Sequence, residues 1–260
     1  MEGLALQPTA HEPRIVLVTG ASRGIGAEVA RQLSDPGTHV VINYREKRKR
    51  AISVVDDIRR RGGHASAVQA DLTDTAAVAS MIAGIASQFG RLDALALNAS
   101  GGLERGADPS YAIRLNRDAQ LNLTHSALPL MTTGARIVFI TSHQAHFYPE
   151  KPVPDDYVPI AQSKRAGENA LRDLQPRLSQ HGVGLAVVSS DMIDGTIIIR
   201  LLERRDPASV AARRAHAPLP TVEEFAAAIV TAINSSDQNG RTTYVGGADY
   251  RTATAQIGQV

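Results

Sequence analysis

The amino-acid sequence predicts an α/β fold: a doubly wound parallel β-sheet with helices on both faces, in a single domain. Short β-branched runs, apolar almost throughout, alternate with longer amphipathic stretches along most of the chain. Such continuous apolar runs are typical of parallel strands that are buried on both faces. Regular alternation of strands and helices indicates the doubly wound arrangement. A chain of 260 residues that is 43% hydrophobic has the length and the core of one large domain.

The predicted elements follow one another in regular order. We expect strands at residues 14–19, 40–44, 65–69, 94–98, 136–141, 185–189 and 243–245. We expect helices at residues 26–34, 51–61, 75–89, 111–131 and 161–180. A last helix starts at the T-x-x-E capping box of Thr221 and Glu224, which precedes the apolar residues 225–229.

The composition argues against several classes of protein. The chain has no cysteine, which excludes a disulfide framework and a thiolate metal site, and we expect no metal at all. The net charge of +2 is too small to indicate a nucleic-acid partner, and no apolar run approaches the roughly eighteen residues that span a bilayer. Residues 1–13 are polar and contain proline, so they predict a flexible N-terminal tail ahead of a domain at residues 14–260. We therefore expect a cytoplasmic protein without a membrane or nucleic-acid partner.

A glycine-rich loop, T-G-A-S-R-G-I-G, follows the first predicted strand. Gly20 permits the tight turn out of the strand, Gly24 lets a pyrophosphate approach the backbone, and Gly26 allows close helix packing. The N-terminus of the next helix then offers unpaired N–H groups and the positive end of its dipole. In this position, between a strand and a helix, the loop predicts a Rossmann-type dinucleotide site. We also assign Ser22 and Ile25 of the loop to that site.

Charge at the end of the second predicted strand indicates which dinucleotide is bound. An NAD site usually places an acidic residue there to hold the ribose 2′-hydroxyl, whereas this strand ends at Tyr44 and is followed by Arg45. Arg23 lies within the glycine loop. Two guanidinium groups at one ribose favour a 2′-phosphate, so the expected cofactor is NADP(H). We expect the other basic residues of this run, 47–50, to be solvated.

Two further motifs have regular positions after predicted strands: Asp71-Leu72 after the third, and N-A-S-G from Asn98 after the fourth. With them the chain resembles the short-chain dehydrogenase/reductase family, and in particular its three-oxoacyl-carrier-protein reductase-like branch, over about residues 14–247. The resemblance implies that Asp71 and Leu72 contact the adenine and that Asn98 supports the sheet and the ribose side of the cofactor. From the residues alone, Asp71 as a helix cap and Asn98 as an ordinary turn residue stay open.

Three residues of the family's catalytic set have counterparts in this chain. Ser142 ends the fifth predicted strand, Lys164 lies in the helix predicted at 161–180, and Asn116 lies in the helix predicted at 111–131. The resemblance implies that Ser142 orients the carbonyl, that Lys164 binds the nicotinamide ribose and lowers the pKa of a catalytic tyrosine, and that Asn116 holds a water. Asn122 on the same helix is the alternative to Asn116.

The family's tyrosine, which gives its proton to the carbonyl oxygen, has an atypical position here. Four residues before Lys164 the chain has Ile160, whereas Tyr157 lies seven residues before Lys164. Tyr157 lies fifteen residues after Ser142, which is close to the family's usual spacing. Pro159 favours a helix start at that point, so we expect Tyr157 in the loop that enters the helix.

Two histidines are alternative proton donors. His143 and His146 directly follow Ser142 in the sequence, and imidazole gives up a proton near neutral pH. Without such a role, each is expected to be an ordinary solvated loop residue.

The segment after the sixth predicted strand departs from the family a second time. The family usually has Pro-Gly where this chain has Ser190-Asp191. The resemblance implies backbone contacts to the nicotinamide amide from this loop, which we assign to Ile193 and Thr196, and a substrate lid around residues 191–220. Its arginines are expected to be solvated, and attraction of an acidic substrate or carrier is the alternative for Arg200, Arg204, Arg205, Arg213 and Arg214.

These expectations combine into one function and one alternative. The function is an NADPH-dependent oxidoreductase, a carbonyl or keto reductase or an alcohol dehydrogenase, acting on a small-molecule carbonyl or alcohol. The alternative is a catalytically silent NADP(H)-binding sensor or scaffold that has lost its tyrosine. The resemblance also implies a homodimer or homotetramer.

Overall fold

The computed structural model of the chain describes residues 12–102, 108 and 110–252. Within these residues, seven parallel strands form one sheet in the order β3-β2-β1-β4-β5-β6-β7. The strands are β1 Arg14–Val18, β2 Thr38–Tyr44, β3 His64–Gln69, β4 Leu92–Leu97, β5 Met131–Ser142, β6 Gly184–Ser190 and β7 Thr242–Val245. The predicted Rossmann-type sheet is therefore confirmed.

The helices connect these strands across both faces of the sheet. They are α1 Gly24–Leu33, α2 Arg48–Arg60, α3 Thr75–Phe89, α4 Tyr111–Ile113, α5 Ala119–Ala127, α6 His143–His146, α7 Val158–Asp173, α8 Gln175–Gln180, α9 Ile197–Arg205, α10 Pro207–His216, α11 Val222–Asn234 and α12 Asp249–Thr252. A π-helical turn, Arg114–Asp118, joins α4 to α5, and a 3-10 turn, Asp155–Tyr157, precedes α7. Among the described residues, no helix has the length and apolar character that crossing a membrane requires.

Alternate side chains of the strands pack into two separate cores. Val16 and Val18 of β1 face one core together with α1, α2 and α11. Ile15 and Leu17 face the other together with α3, α5 and α7. These four side chains are at most 1% exposed. This burial on both faces explains why the strands have continuous apolar sequences rather than alternating ones.

The order of the strands determines where a ligand binds. The chain moves outward from β1 to β2 and β3, then returns to place β4 on the other side of β1. At such a reversal the loops after β1 and β4 diverge and leave a crevice at the carboxyl ends of the strands. The glycine loop and Asn98 both lie at this crevice.

Two predicted helices differ from those observed. The helix expected at residues 111–131 is interrupted by the π-helical turn and ends at Ala127, while Met131 pairs with Leu92 in the sheet. The helix expected at residues 161–180 starts earlier, at Val158, and is divided into α7 and α8 because Pro176 cannot continue the hydrogen-bond ladder. The capping box of Thr221 and Glu224 is confirmed by hydrogen bonds in both directions. The predicted tail lies outside the described residues except for Glu12 and Pro13, which are exposed.

Candidate active site

The glycine loop has the geometry that a dinucleotide-binding turn requires. Gly20 and Gly24 have φ of 62° and 56°, a left-handed conformation that side-chain-bearing residues rarely adopt. A Cβ on Gly26 would lie 2.5 Å from Asn98 Nδ2, so glycine is needed there for packing. Arg23 is the N-cap residue of α1, directly before Gly24. Its side chain is exposed and makes no capping hydrogen bond to the helix backbone. The first N–H groups of α1 therefore remain available for phosphate oxygens.

Asn98 joins the ends of β1 and β4. Its Nδ2 donates to the carbonyl oxygen of Thr19 at 2.8 Å, and its backbone N–H donates to Thr19 Oγ1 at 2.9 Å. Ala99 N–H donates to the same hydroxyl at 3.0 Å. Asn98 is therefore more than an ordinary turn residue, because it fixes the crevice beside Gly20.

Asn43 is a residue that the sequence reading missed. It is 1% exposed, near the end of β2. Its Oδ1 accepts the N–H of Gly20 at 3.3 Å, and its Nδ2 donates to the carbonyl oxygen of Ala70 at 3.1 Å. A polar residue inside the apolar run of β2 was the signal that could have revealed it. Asn43 holds the glycine loop in place from the side of β2.

Arg45 lies directly after β2, where the sequence predicted it. Its guanidinium donates to the hydroxyl of Tyr111 and lies 5.9 Å from the centroid of that ring. It also pairs with Glu46 at 3.0 Å while its side chain stays 43% exposed. Arg45 is thus both held in position and accessible at the end of the strand.

Asp71 does not cap the helix that follows it. Its Oδ1 accepts hydrogen bonds from Thr73 N–H at 2.9 Å and from Thr73 Oγ1 at 2.7 Å, which closes the turn after β3. The cap of α3 is Asp74, whose side chain accepts from two backbone N–H groups. Leu72 is 4% exposed and belongs to the apolar core.

The structure brings Tyr157 to Ser142. The Oγ of Ser142 lies 3.3 Å from the Tyr157 hydroxyl. Contrary to the expectation of a loop, Tyr157 ends a 3-10 turn that runs directly into α7, with Pro159 as the second residue of that helix. Tyr157 is half-buried, and burial raises the pKa of its phenol, opposed by the hydrogen bond with Ser142.

Lys164 lies on the same helix, further along. Lys164 follows Tyr157 by seven residues. This spacing puts the two residues about two turns, or roughly 10 Å along the helix axis, apart on nearly the same face. Burial lowers the pKa of Lys164 to about 8. Its side chain lines a crevice together with Ala99, Asn116 and Phe139. Between the two residues, Ile160 is 4% exposed, with its Cδ1 beside Gly102.

Asn116 links the loop after β4 to α7. Its Nδ2 donates to Gly101 O at 3.0 Å and to Ser163 Oγ at 2.9 Å, and its Oδ1 accepts from Gly101 N–H at 3.3 Å. It lies in the π-helical turn, where the regular backbone ladder is shifted. The structure thus places Asn116 beside Lys164, whereas Asn122 does not line that crevice.

Neither histidine is the solvated loop residue expected. His143 is 1% exposed; its Nε2 donates to Gly246 O at 3.1 Å, and its Nδ1 accepts from Ser189 Oγ at 2.7 Å. Burial lowers the pKa of His143 and keeps the ring neutral. Both ring nitrogens of His143 are therefore engaged within the fold.

His146 is engaged in the same way. Its Nδ1 pairs with Glu168 at 2.8 Å, and its Nε2 lies 3.0 Å from the Tyr244 hydroxyl. Glu168 is fully buried on α7 and also accepts from Arg172 at 2.9 Å. These bonds tie α6, which begins after Ser142, to the helix that carries Lys164.

The loop after β6 is closed by its own hydrogen bonds. Thr196 caps α9, and its Oγ1 also donates to Ile193 O at 2.8 Å. Among the lid arginines, Arg214 is exposed to solvent, as expected, and forms surface ion pairs with Asp194 and Glu203 at 2.7 Å. It is wrong for Arg213, whose side chain is only 14% exposed.

Comparison with known proteins gives one consistent family. Residues 14–205 match the family model described as short chain dehydrogenase. The 1-cyclohexenylcarbonyl-CoA reductase of Streptomyces collinus is 31% identical over 195 residues, 72% of this chain and 68% of that protein. The 3-oxoacyl-[acyl-carrier-protein] reductase of Staphylococcus aureus is 46% identical over 83 residues, 32% of this chain and 34% of that protein. The chain thus matches between a third and about two thirds of the lengths of these relatives.

A solved structure agrees over a larger part of the chain. The short chain dehydrogenase of Burkholderia cenocepacia, crystallised with NADP, has a TM-score of 0.76 at 27% identity. The alignment covers 92% of this chain and 98% of that one.

Proposed function

Because this chain belongs to the short chain dehydrogenase family and is an oxidoreductase of carbonyl or hydroxyl groups that uses a nicotinamide cofactor, we propose that it is an NADPH-dependent carbonyl reductase whose proton donor is Tyr157. The observation that carries the proposal is the 3.3 Å distance between Ser142 Oγ and the Tyr157 hydroxyl. The shifted position of the tyrosine along the chain still leaves it beside the family's serine. The comparisons do not favour the catalytically silent alternative.

The two hydroxyl groups have complementary tasks. A carbonyl oxygen placed between them accepts one hydrogen bond from Ser142 and one from Tyr157, which polarises the carbonyl and fixes its orientation. The nicotinamide, when bound, supplies the hydride. As negative charge builds up on the oxygen, Tyr157 transfers its proton and leaves an alcohol. Ser142 is held for this task at the start of α6, where its Oγ accepts from Ala145 N–H at 3.3 Å.

Lys164 has a task separate from that of Tyr157. The ordinary arrangement places the ammonium one turn from the phenol and lowers its pKa, whereas here about two turns intervene. We assign Lys164 to the nicotinamide ribose, with Asn116 and a bound water beside it. Tyr157 then keeps its proton throughout the neutral range, which suits the reduction of a carbonyl better than the oxidation of an alcohol.

The residues at the crevice fit a dinucleotide that carries a 2′-phosphate. The backbone at Gly20, Gly24 and Gly26 has no side chain that would obstruct a pyrophosphate, and the positive end of α1 faces it. Arg23 and Arg45 are exposed at the ribose end, and we assign them to the 2′-phosphate of NADP(H) rather than to NAD(H). The other contacts that we propose come from Ser22, Ile25, Asp71, Leu72, Asn98, Ile193 and Thr196.

The remaining features of the proposal concern the whole molecule. Residues 191–220, which include α9 and α10, form the substrate lid on a single domain at residues 14–260, with a tail at 1–13. We propose a homodimer or homotetramer in the cytoplasm. A chain without cysteine forms no disulfides, which is compatible with that reducing compartment.

The proposal is tested by assaying NADPH oxidation with simple ketones, β-keto thioesters and polycyclic aromatic ketones. The wild type should reduce members of at least one class, and Ser142→Ala should lower kcat by roughly a hundredfold. NADPH affinity should stay unchanged. A wild type that binds NADPH but reduces none of these carbonyls would support the silent alternative.

A further inference from the structure

Arg213 of α10 holds two carboxylates that are distant in the sequence. Its Nε and Nη2 donate to Asp191 Oδ2 at 2.8 and 2.6 Å. Its Nη1 and Nη2 donate to the two oxygens of Asp249 at 2.7 Å each. Nη1 and Nη2 thus form a forked pair with Asp249, the arrangement in which arginine binds carboxylates most strongly, while the Nε edge of the same guanidinium holds Asp191.

The three residues belong to three different segments. Asp191 begins the loop after β6, Arg213 lies in the second lid helix, and Asp249 begins α12 near the end of the described chain. Asp191 stands where the resemblance to the family leads us to expect glycine, and its side chain is 1% exposed. A carboxylate buried to this extent is strongly unfavourable without a partner. The departure at Asp191 is therefore explained by Arg213, and each residue requires the other.

Tyr250, the neighbour of Asp249, is held by the same cluster against the end of α6. Its ring centroid lies 5.1 Å from Arg213 Cζ and 4.9 Å from Lys151 Nζ, and it stacks on Phe147 at 5.7 Å. Lys151 also donates to Asp249 O at 3.2 Å. Phe147 directly follows α6, the helix that begins after Ser142. The ring centroid of Tyr250 also lies 5.1 Å from that of His143, which directly follows Ser142 in the chain.

We propose that Arg213 is a positioning residue that locks α10 and α12 onto the loop after β6 and thereby sets Tyr250 as one wall of the substrate pocket. The inference rests on the proposed function in assigning that pocket to a carbonyl substrate. We call this set of ion pairs, Arg213 with Asp191 and Asp249, the lock. Hydrogen bonds from Arg213 lower the pKa of Asp249 to about 2, so this carboxylate stays charged and paired over the whole physiological pH range. Opening the lid requires that Arg213 release at least one of the two carboxylates.

The chain offers a matched control in the next residue. Arg214 is also in α10 and also contacts two carboxylates, Asp194 and Glu203, but its side chain is 42% exposed. Arg213→Gln and Arg214→Gln remove the same charge at adjacent positions. Since Arg213→Gln leaves Asp191 buried without a charged partner and endangers folding, Asp191→Asn/Arg213→Gln replaces the buried pair by neutral groups of similar size.

The test combines hydrogen exchange of the full chain with steady-state kinetics. We expect the double variant to exchange faster in all three segments together, residues 191–196, 207–216 and 249–252, and to raise KM for the carbonyl by roughly tenfold. The kcat and the dissociation constant of NADPH should change less, and Arg214→Gln should match the wild type. Faster exchange in α10 alone, or an equal effect of Arg214→Gln, would overturn the lock. If the wild type reduces no carbonyl, the proposed function fails, while coupled exchange in the three segments still supports the lock.

Discussion

Tyr157 and Lys164 lie on one face of a continuous helical segment, seven residues apart, so about two turns separate the phenol from the ammonium. The pKa of Tyr157 is raised by burial and lowered only by its hydrogen bond with Ser142. Burial alone lowers the pKa of Lys164, and Lys164 is not among the groups that affect the pKa of Tyr157; we therefore propose that the lysine does not activate the tyrosine. The two residues serve the proposed reaction independently.

The first prediction concerns the pH dependence of turnover. Because the pKa of Tyr157 lies above its ordinary value of about 10, the proton-donating form persists until the pH passes that raised value. We expect kcat for reduction, measured at saturating NADPH, to stay level from pH 7 to about 10. Oxidation of the product alcohol needs the phenolate and should be slow over the same range. A fall in reductive kcat between pH 7 and 9 would contradict this account.

The second prediction concerns the pH dependence of cofactor binding. In the free protein the pKa of Lys164 is lowered to about 8 by burial. If the ammonium binds the cofactor, the bound state raises that pKa, and binding is strongest below pH 8. The NADPH dissociation constant should then rise by up to tenfold per unit above pH 8, and Lys164→Met should abolish the rise. Equal affinities at pH 7 and 9.5 in the wild type would place Lys164 away from the cofactor.

The third prediction concerns the choice of cofactor. Arg45→Ala removes one of the two guanidinium groups assigned to the 2′-phosphate and should weaken NADPH binding by roughly tenfold, with NADH little affected. Arg50→Ala, an exposed arginine in the same basic run, is the matched control and should have no effect. Nucleotide fluorescence titrations of the wild type and the two variants with NADPH and with NADH measure these affinities. Equal affinity of the wild type for NADPH and NADH would refute the charge argument.

The sequence predicted those features that depend on local pattern. The strands, the glycine loop and the position of Ser142 follow from apolar runs and from glycines at fixed offsets. The buried state of His143 and the lock at Arg213 could not be predicted, since each depends on partners 46 and 22 residues away in the sequence, respectively. The π-helical turn at Asn116 also left no signal in a sequence of ordinary helical composition. For Tyr157, the sequence spacing from Ser142 matched the family, whereas the spacing to Lys164 did not. Only the three-dimensional course of the chain into α7 shows that the Tyr157 hydroxyl lies beside Ser142.

The central claim, that Tyr157 is the proton donor, is tested most directly by Tyr157→Phe. Tyr148→Phe is its control, since the Tyr148 hydroxyl accepts a hydrogen bond from Gln162 at 3.2 Å on the exposed side of α7. Single-turnover measurements of NADPH oxidation should show hydride transfer slowed by roughly a hundredfold or more in Tyr157→Phe and unchanged in Tyr148→Phe. NADPH should bind both variants as it binds the wild type. Undiminished hydride transfer in Tyr157→Phe would contradict the account and assign the proton to another donor.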